Sequence, residues 1–239
     1  MLLYYLRHGD PIYDPDSLTE LGKRQAEALA RRLAVYGMDE IYSSTSQRAY
    51  DTAKPLAEIL KKDITKLDWA NESYDYMEFS VVDEKGSRHW FDALPGSNKL
   101  FHSDRITGMG YEWYNAPEFS GTQYKSGFER ISRETDAFFE KLGYKHDHEN
   151  HGYIPVAPNE KRIAFFAHGG FGAAFLSCLL DIPYPWLVTR TGLSHSSMTV
   201  IHFAEQDEGL VFPAILQFSN DSHIYKEGLP TNYNNYIRI

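Results

Sequence analysis

Leu2-Leu3-Tyr4-Tyr5-Leu6, an unbroken apolar run, leads directly into Arg7-His8-Gly9. A short apolar run closed by a glycine turn reads as a buried strand, so a cation and an imidazole arrive together at one strand end. The pattern returns far downstream, where Ile163-Ala164-Phe165-Phe166-Ala167 runs into His168-Gly169-Gly170. Apolar strands alternating with helical stretches predict a mostly parallel sheet covered on both faces, a three-layer α/β/α sandwich. In such a sheet the ligand site lies beyond the carboxyl ends of the strands, which places Arg7, His8 and His168 at one edge.

Working outward, a helix is expected over residues 19–36, with Gly22, Ala26, Leu29, Leu33 and Tyr36 on its apolar face. Thr19, or Ser17 with Glu20, can cap its start, and Gly37 can stop it. Residues 40–43 read as a short strand. Ser44-Thr45-Ser46-Gln47 has capping-box spacing, so a second helix should begin there, with Arg48 in its first turn and Ala49, Ala53, Leu56 and Leu60 buried. Pro55 removes one internal hydrogen bond, which predicts a kink or break near Lys54. A third strand is expected over 64–69.

Residues 72–125 lose this periodicity and concentrate aromatic side chains, among them Tyr76, Phe79, Trp90, Phe91, Phe101, Trp113 and Phe119. So long an irregular stretch inside one domain reads as an insertion or lid over the active site, or as a subdomain packing its own aromatics. Ser126-Gly127-Phe128-Glu129 again has capping-box spacing and predicts a helix to Leu142. Residues 144–160 read as a polar loop, and 169–180 as an internal helix. Late strands at 198–203 and 211–218 should pair antiparallel across 205–209. One domain of 239 residues accommodates all of this.

Composition narrows the partners. The net charge of −9, with no basic run, argues against nucleic acid. An anionic substrate must therefore be drawn in by a local cationic pocket. A single cysteine, Cys178, excludes an internal disulfide framework and suits a reducing, cytoplasmic compartment. No apolar run approaches the roughly 20 residues that span a membrane.

The strand-end residues carry specific chemistry. Guanidinium groups such as Arg7 and Arg48 hold phosphoryl oxygens through charge-assisted bidentate bonds. A protonated His168 would add a donor, leaving His8 free to attack phosphorus in line and form a covalent phosphohistidine. No metal and no cofactor are required by this chemistry.

The chain resembles the histidine phosphatase superfamily, the phosphoglycerate mutase-like proteins. The resemblance rests on Arg7-His8-Gly9, Leu18-Thr19-Glu20-Leu21-Gly22 with Gln25-Ala26, Tyr42-Ser43-Ser44 with Arg48-Ala49 and Thr52-Ala53, and His168-Gly169-Gly170, in the family's order. It implies that His8 is the nucleophile and that Arg7, Arg48 and His168, with Gly169, complete the phosphate pocket. The family's proton-donating carboxylic acid follows the third strand. Glu72 occupies that place, where Trp69 could desolvate it, and Glu78 competes for the role.

Departures narrow the type. Asp10-Pro11-Ile12-Tyr13-Asp14 lacks the Ser or Thr and the Asn that mutases place after the first motif, and Gly169 replaces the Asp of the phytase branch. Asp75-Tyr76 stands where the family usually has a glycine. The resemblance implies a metal-independent phosphomonoester hydrolase acting on a small phosphorylated substrate. A phosphoglycerate-mutase-like phosphotransferase and a non-catalytic phospho-ligand or protein-binding module are the alternatives.

Other histidines have plainer readings. His146, His148 and His151 could hold zinc with an acidic ligand, although a solvated polar loop explains them more simply. His195 and His202 read as structural.

Overall fold

In the computed structural model, which describes residues 1–204 and 209–231, β1 (Leu2–Arg7) sends Leu3 and Tyr5 to one face of a sheet and Tyr4 and Leu6 to the other, all four buried. Such two-sided burial requires helices on both faces. The elements that follow are β2 (Pro11–Tyr13), β3 (Asp16–Leu18), α1 (Glu20–Tyr36), β4 (Glu40–Ser44), α2 (Gln47–Leu60) and β5 (Ile64–Leu67). The insertion comprises α3 (Glu72–Glu78), the hairpin of β6 (Ser80–Val82) and β7 (Arg88–Trp90), α4 (Ser97–Phe101), α5 (Asp104–Gly108) and several 3₁₀ turns. Then come α6 (Tyr124–Lys141), β8 (Tyr144–Asp147), β9 (Gly152–Pro155), β10 (Arg162–Ala167), α7 (Gly169–Leu180), α8 (Tyr184–Val188), β11 (Met198–His202), β12 (Ala214–Asn220) and α9 (Ser222–Lys226).

The central sheet runs β12-β11-β1-β10-β4-β5. The β1, β10, β4 and β5 strands are mutually parallel, while β11 is antiparallel to both β1 and β12. Helices α1 and α2 cover one face through Leu29, Leu33, Ala53 and Leu56 against Leu6, Ile41 and Phe166. The opposite face packs Phe138, Phe139, Phe171 and Phe175, from α6 and α7, against Tyr5, Ile163 and Phe165. The expected three-layer α/β/α architecture is therefore present. Among the described residues no helix is long and apolar enough to cross a membrane.

Several local expectations are corrected. Pro55 does not break α2, which continues from Gln47 to Leu60, its apolar side held on the sheet by Ala53, Leu56 and Ala57. Ser46 does not cap that helix: the Ser44 and Ser46 hydroxyls turn instead to His168, and Asp16 Oδ2 accepts the Gln47 amide at 2.8 Å. Helix α6 starts at Tyr124, before Ser126, whose hydroxyl donates back to the Gln123 carbonyl rather than capping. Residues 144–160 are not a plain loop, because Tyr144 and Tyr153 are buried and draw the chain into the β8/β9 hairpin. The β11/β12 pairing is antiparallel as expected, and its connection through residues 205–208 lies outside the described residues. In the insertion, Phe79, Phe101, Trp113, Phe119 and Tyr124 pack on one another and on Phe128 and Tyr184 as a separate aromatic core.

The loop after β1 is fixed by residues that do no chemistry. Thr19 caps α1 by accepting from the Gly22 amide (3.0 Å) and donates to Asp10 Oδ2 (2.7 Å). Gln25 Oε1 accepts the Asp10 amide at 2.8 Å, and Thr52 Oγ1 accepts the Gly9 amide at 3.0 Å. Gly9 and Gly22 meet backbone to backbone, and a Cβ on Gly22 would lie 2.2 Å from the Asp10 carbonyl oxygen. Gly22→Ala should therefore displace this loop and destabilise the protein by roughly 1–3 kcal/mol, the ordinary cost of overpacking. Thermal unfolding checks it: a melting temperature lowered by several degrees is expected, and an unchanged one would mean the loop is not packed this way.

Candidate active site

Register places the two histidines. Arg7 pairs with Ala167 across the β1/β10 ladder and the His8 amide donates to the Ala167 carbonyl at 3.0 Å, so His8 and His168 leave adjacent parallel strands side by side. Their rings lie 5.3 Å apart, and both are buried. His8 Nδ1 is 2.7 Å from the Gly9 carbonyl oxygen, an atom that can only accept, so Nδ1 carries the proton and Nε2 keeps its lone pair. Arg48 Nε donates to that Nε2 at 3.2 Å. Burial, then the neighbouring His168, Arg7 and Arg48, hold the His8 imidazole well below its ordinary pKa. A neutral nitrogen thus faces a cationic pocket.

Burial, then Arg48 and Arg7, hold the His168 imidazole well below its ordinary pKa as well, so a donor role does not rest on a protonated ring. Its Nε2 lies 2.8 Å from Ser44 Oγ. The Ser46 amide donates to that same oxygen at 3.3 Å, and the Ser44 hydroxyl proton can be given to Nε2. In that tautomer Nδ1 bears the ring proton; among the described residues it has no hydrogen-bond partner, and it stands 3.7 Å from Glu72 Oε2. His168 can therefore donate to an oxyanion without taking up a second proton.

The two arginines enter from different elements. Arg7, the last residue of β1, donates from Nη1 to the Leu193 carbonyl and from Nη2 to His195 Nε2 (2.8 Å), and leaves its buried Nε without a partner. Gly169 makes room for this guanidinium, since a Cβ there would lie 3.2 Å from Arg7 Cζ. Arg48, in the first turn of α2, spans Asp16 Oδ1 and Glu72 Oε2, both at 3.0 Å. Glu72 opens α3, and its Oε1 accepts the Gly170 amide at 2.8 Å.

Arg7, His8, Arg48, Glu72, His168 and Gly169 are thus brought together. Glu78 is not: it accepts from Arg130 Nε at 3.0 Å and Nη2 at 2.6 Å, beside buried Asp75. Desolvation pushes the Asp75 carboxyl up to about 8 in spite of Arg130. Trp69, expected beside the acid, packs on Phe138, Phe165 and Phe171 in the core. Trp90 of the insertion takes that place, since both its ring and Glu72 Oε1 border Gly170.

His195 belongs to the pocket, contrary to its reading as structural. Its ring lies 5.4 Å from that of His8, it accepts from Arg7, and its Nδ1 is 3.5 Å from Asp10 Oδ1. Burial and the adjacent Arg7 lower it to about 4, so it too is neutral. Asp16 was likewise missed; the β2/β3 hairpin carries it to Arg48.

One atom each from His8, Glu72 and His168 lies within 4.8 Å of the others, close enough to hold a metal. Yet His8 Nδ1 is committed to a carbonyl and two guanidinium groups crowd the same space. That donor set suits an oxyanion rather than a cation. Beside it opens a cavity of about 350 Å³ whose wall includes Arg7, Glu72, Gly169, Trp90, Asp92 and Leu193.

Residues 3–97 match the family model described as histidine phosphatase superfamily (branch 1). A Hydrogenobacter thermophilus protein provisionally named phosphoserine phosphatase 2 is 23% identical over 219 residues, covering 88% of this chain and 93% of that one. Among solved structures, a mycobacterial glucosyl-3-phosphoglycerate phosphatase complexed with VO3 aligns with TM-score 0.59 at 21% identity, over 91% of this chain and 98% of its own. A phosphoserine phosphatase mutant from Entamoeba histolytica, in complex with phosphoserine, gives TM-score 0.59 at 19% identity, over 93% and 98%. The family match thus covers the motif segment through residue 97, and the solved structures share the fold over nearly the whole chain.

Proposed function

We propose that this protein is a phosphomonoester hydrolase that works through a phosphohistidine at His8 Nε2. The observation carrying the reading is the Nδ1–H bond to the Gly9 carbonyl, which leaves Nε2 unprotonated among Arg7, Arg48 and His168. A dianionic phosphoryl group would draw Arg48 away from Glu72 and accept from Arg7, Arg48 and the free Nδ1–H of His168. Nε2 then attacks phosphorus as the ester P–O bond breaks, and the Glu72 carboxyl gives its proton to the leaving oxygen. In the second half, Glu72 takes a proton from water, whose oxygen attacks phosphorus; the N–P bond breaks, releasing inorganic phosphate and restoring His8.

The cavity favours a small leaving group, since about 350 Å³ is near the lower end for ligand pockets. Trp90 and Ala93 form part of its wall, so the insertion helps define what enters. Asp92 also lines it, a carboxyl that could accept from a hydroxyl or amine on the substrate. Relatives named for phosphoserine and glucosyl-3-phosphoglycerate support small hydroxyl- or amine-bearing phosphomonoesters as the class.

Turnover of a phosphomonoester panel tests the assignment. His8→Ala should lose roughly a thousandfold or more in kcat. Glu72→Gln should lose about 10²–10⁴-fold while still binding vanadate; undiminished turnover would remove Glu72 from the acid role.

The protonation state is checked by NMR titration of the ligand-free imidazole. His8 should stay a neutral Nδ1–H tautomer at pH 6.5 and protonate only well below it, because burial and the adjoining cations oppose a further charge. A midpoint near 6.5 would contradict the tautomer that defines the nucleophile.

His195 orients Arg7 by accepting from it. His195→Ala should lower kcat/KM by about tenfold or more, mainly through KM, as expected for a lost hydrogen bond to a charged group. His195→Gln, which keeps an acceptor, should recover part of the loss; equal loss in both would refute the positioning role.

A further inference from the structure

A second histidine cluster lies at the other end of α7 from the phosphate pocket. The helix runs from Gly169, against Arg7, to Leu180 with Asp181 as its C-cap, a span of about 18 Å at 1.5 Å per residue. There Asp136 of α6 meets two histidines of the β8/β9 hairpin. His146 Nδ1 lies 2.8 Å from Asp136 Oδ1, and His148 Nε2 lies 2.8 Å from Asp136 Oδ2. His146 Nε2 is 2.9 Å from Asp181 Oδ2. The His146 ring is buried and stacked flat on Tyr153, with centroids 4.4 Å apart.

We propose that Asp136, His146 and His148 form a zinc-binding site, with Asp181 holding the far nitrogen of His146. One donor atom from each of the three lies within 4.8 Å of the others. Tetrahedral zinc at 2.0–2.2 Å from its ligands separates them by about 3.3–3.6 Å, so the 2.8 Å imidazole–carboxylate contacts would open slightly and any wider separation would close. Asp181 supplies the feature that a fortuitous cluster lacks. Metal-bound imidazoles characteristically donate their other N–H to a carboxylate, which fixes the tautomer with the ligating nitrogen free. Here that carboxylate is in place on Nε2, and zinc would displace the proton that Nδ1 now shares with Asp136.

Charge separates this cluster from the catalytic one. Arg7 and Arg48 surround His8 and His168, whereas carboxylates face His146 on both sides. Glu129 and Glu140 line the cavity of about 680 Å³ onto which Asp136, His148 and Asp181 open, with Arg133, itself paired with Glu134, as the cation on that wall. One histidine pair is built for an anion and the other for a cation. Two imidazoles and one carboxylate suit a borderline transition ion, while magnesium and calcium prefer all-oxygen shells. Three protein ligands leave the fourth position open toward the cavity.

Equilibrium dialysis of the full chain against buffered Zn²⁺, with bound metal measured by mass spectrometry, tests the site. Wild type and His8→Ala should each bind one zinc per chain. His148→Ala and Asp136→Asn should weaken binding by about a hundredfold or more, and Asp181→Asn by about 10–100-fold. The His148 side chain is 58% exposed, so its replacement spares the fold, which a melting curve verifies. Co²⁺ loading should give the visible bands of low-coordinate cobalt in wild type and not in His148→Ala. No stoichiometric zinc in wild type would overturn the proposal and leave an ion-pair network that pins the hairpin. Zinc lost in His8→Ala but retained in His148→Ala would also overturn it, by moving the metal to the catalytic cluster.

Discussion

The parallel pairing of β1 with β10 is the constraint on which the rest of the site depends. With Arg7 opposite Ala167, the next residue on each strand is a histidine, and the ladder itself sets the imidazoles 5.3 Å apart. A one-residue slip would turn every side chain of β1 to the other face, exchanging the Leu3/Tyr5 and Tyr4/Leu6 packing. The two aromatic and aliphatic layers therefore hold the register of the paired histidines. In the proposed reading stability and chemistry are one requirement, because the residues that fix the strands stand next to His8 and His168.

Around that register the pocket concentrates positive charge in a chain whose net charge is −9. Three imidazoles, His8, His168 and His195, are all kept neutral by burial and by the guanidinium groups they face. Their roles then divide by hydrogen bonding rather than by ionisation. In the proposed mechanism, carbonyl acceptance at Nδ1 leaves His8 Nε2 as the nucleophile, hydroxyl donation to Nε2 leaves His168 a donor at Nδ1, and the Arg7 guanidinium makes His195 an acceptor. The arginines are themselves tethered by Asp16, Glu72 and Leu193. Under the proposed function a phosphoryl group would meet donors already oriented, as electrostatic catalysis requires.

Much of this was legible in the chain. Apolar runs ending in Arg7-His8-Gly9 and His168-Gly169-Gly170 located the sheet edge, and helix periodicity located the layers. What escaped did so for physical reasons. His195 precedes β11, which runs antiparallel to β1, so the start of β11 lies at the same edge as the end of β1. A reading built on parallel strands had no cause to look there. Asp16 arrives by a short hairpin, and Ser44 and Ser46 looked like caps because capping and imidazole binding draw on the same hydroxyls. The insertion lacks periodicity because its short helices and turns pack around Trp113 and Tyr184 instead of along a sheet. His146 looked solvated because Asp136 and Asp181, which enclose it, come from different helices.

The central claim is a covalent bond from His8 Nε2 to phosphorus, and trapping the phosphoenzyme tests it most directly. Rapid quench of wild type with a phosphomonoester turned over in the panel, followed by ³¹P NMR and peptide mass spectrometry, should find an acid-labile, base-stable phosphoryl group on His8 at Nε2. Turnover without any such intermediate, or a phosphoryl group on another residue that persists in His8→Ala, would contradict the account.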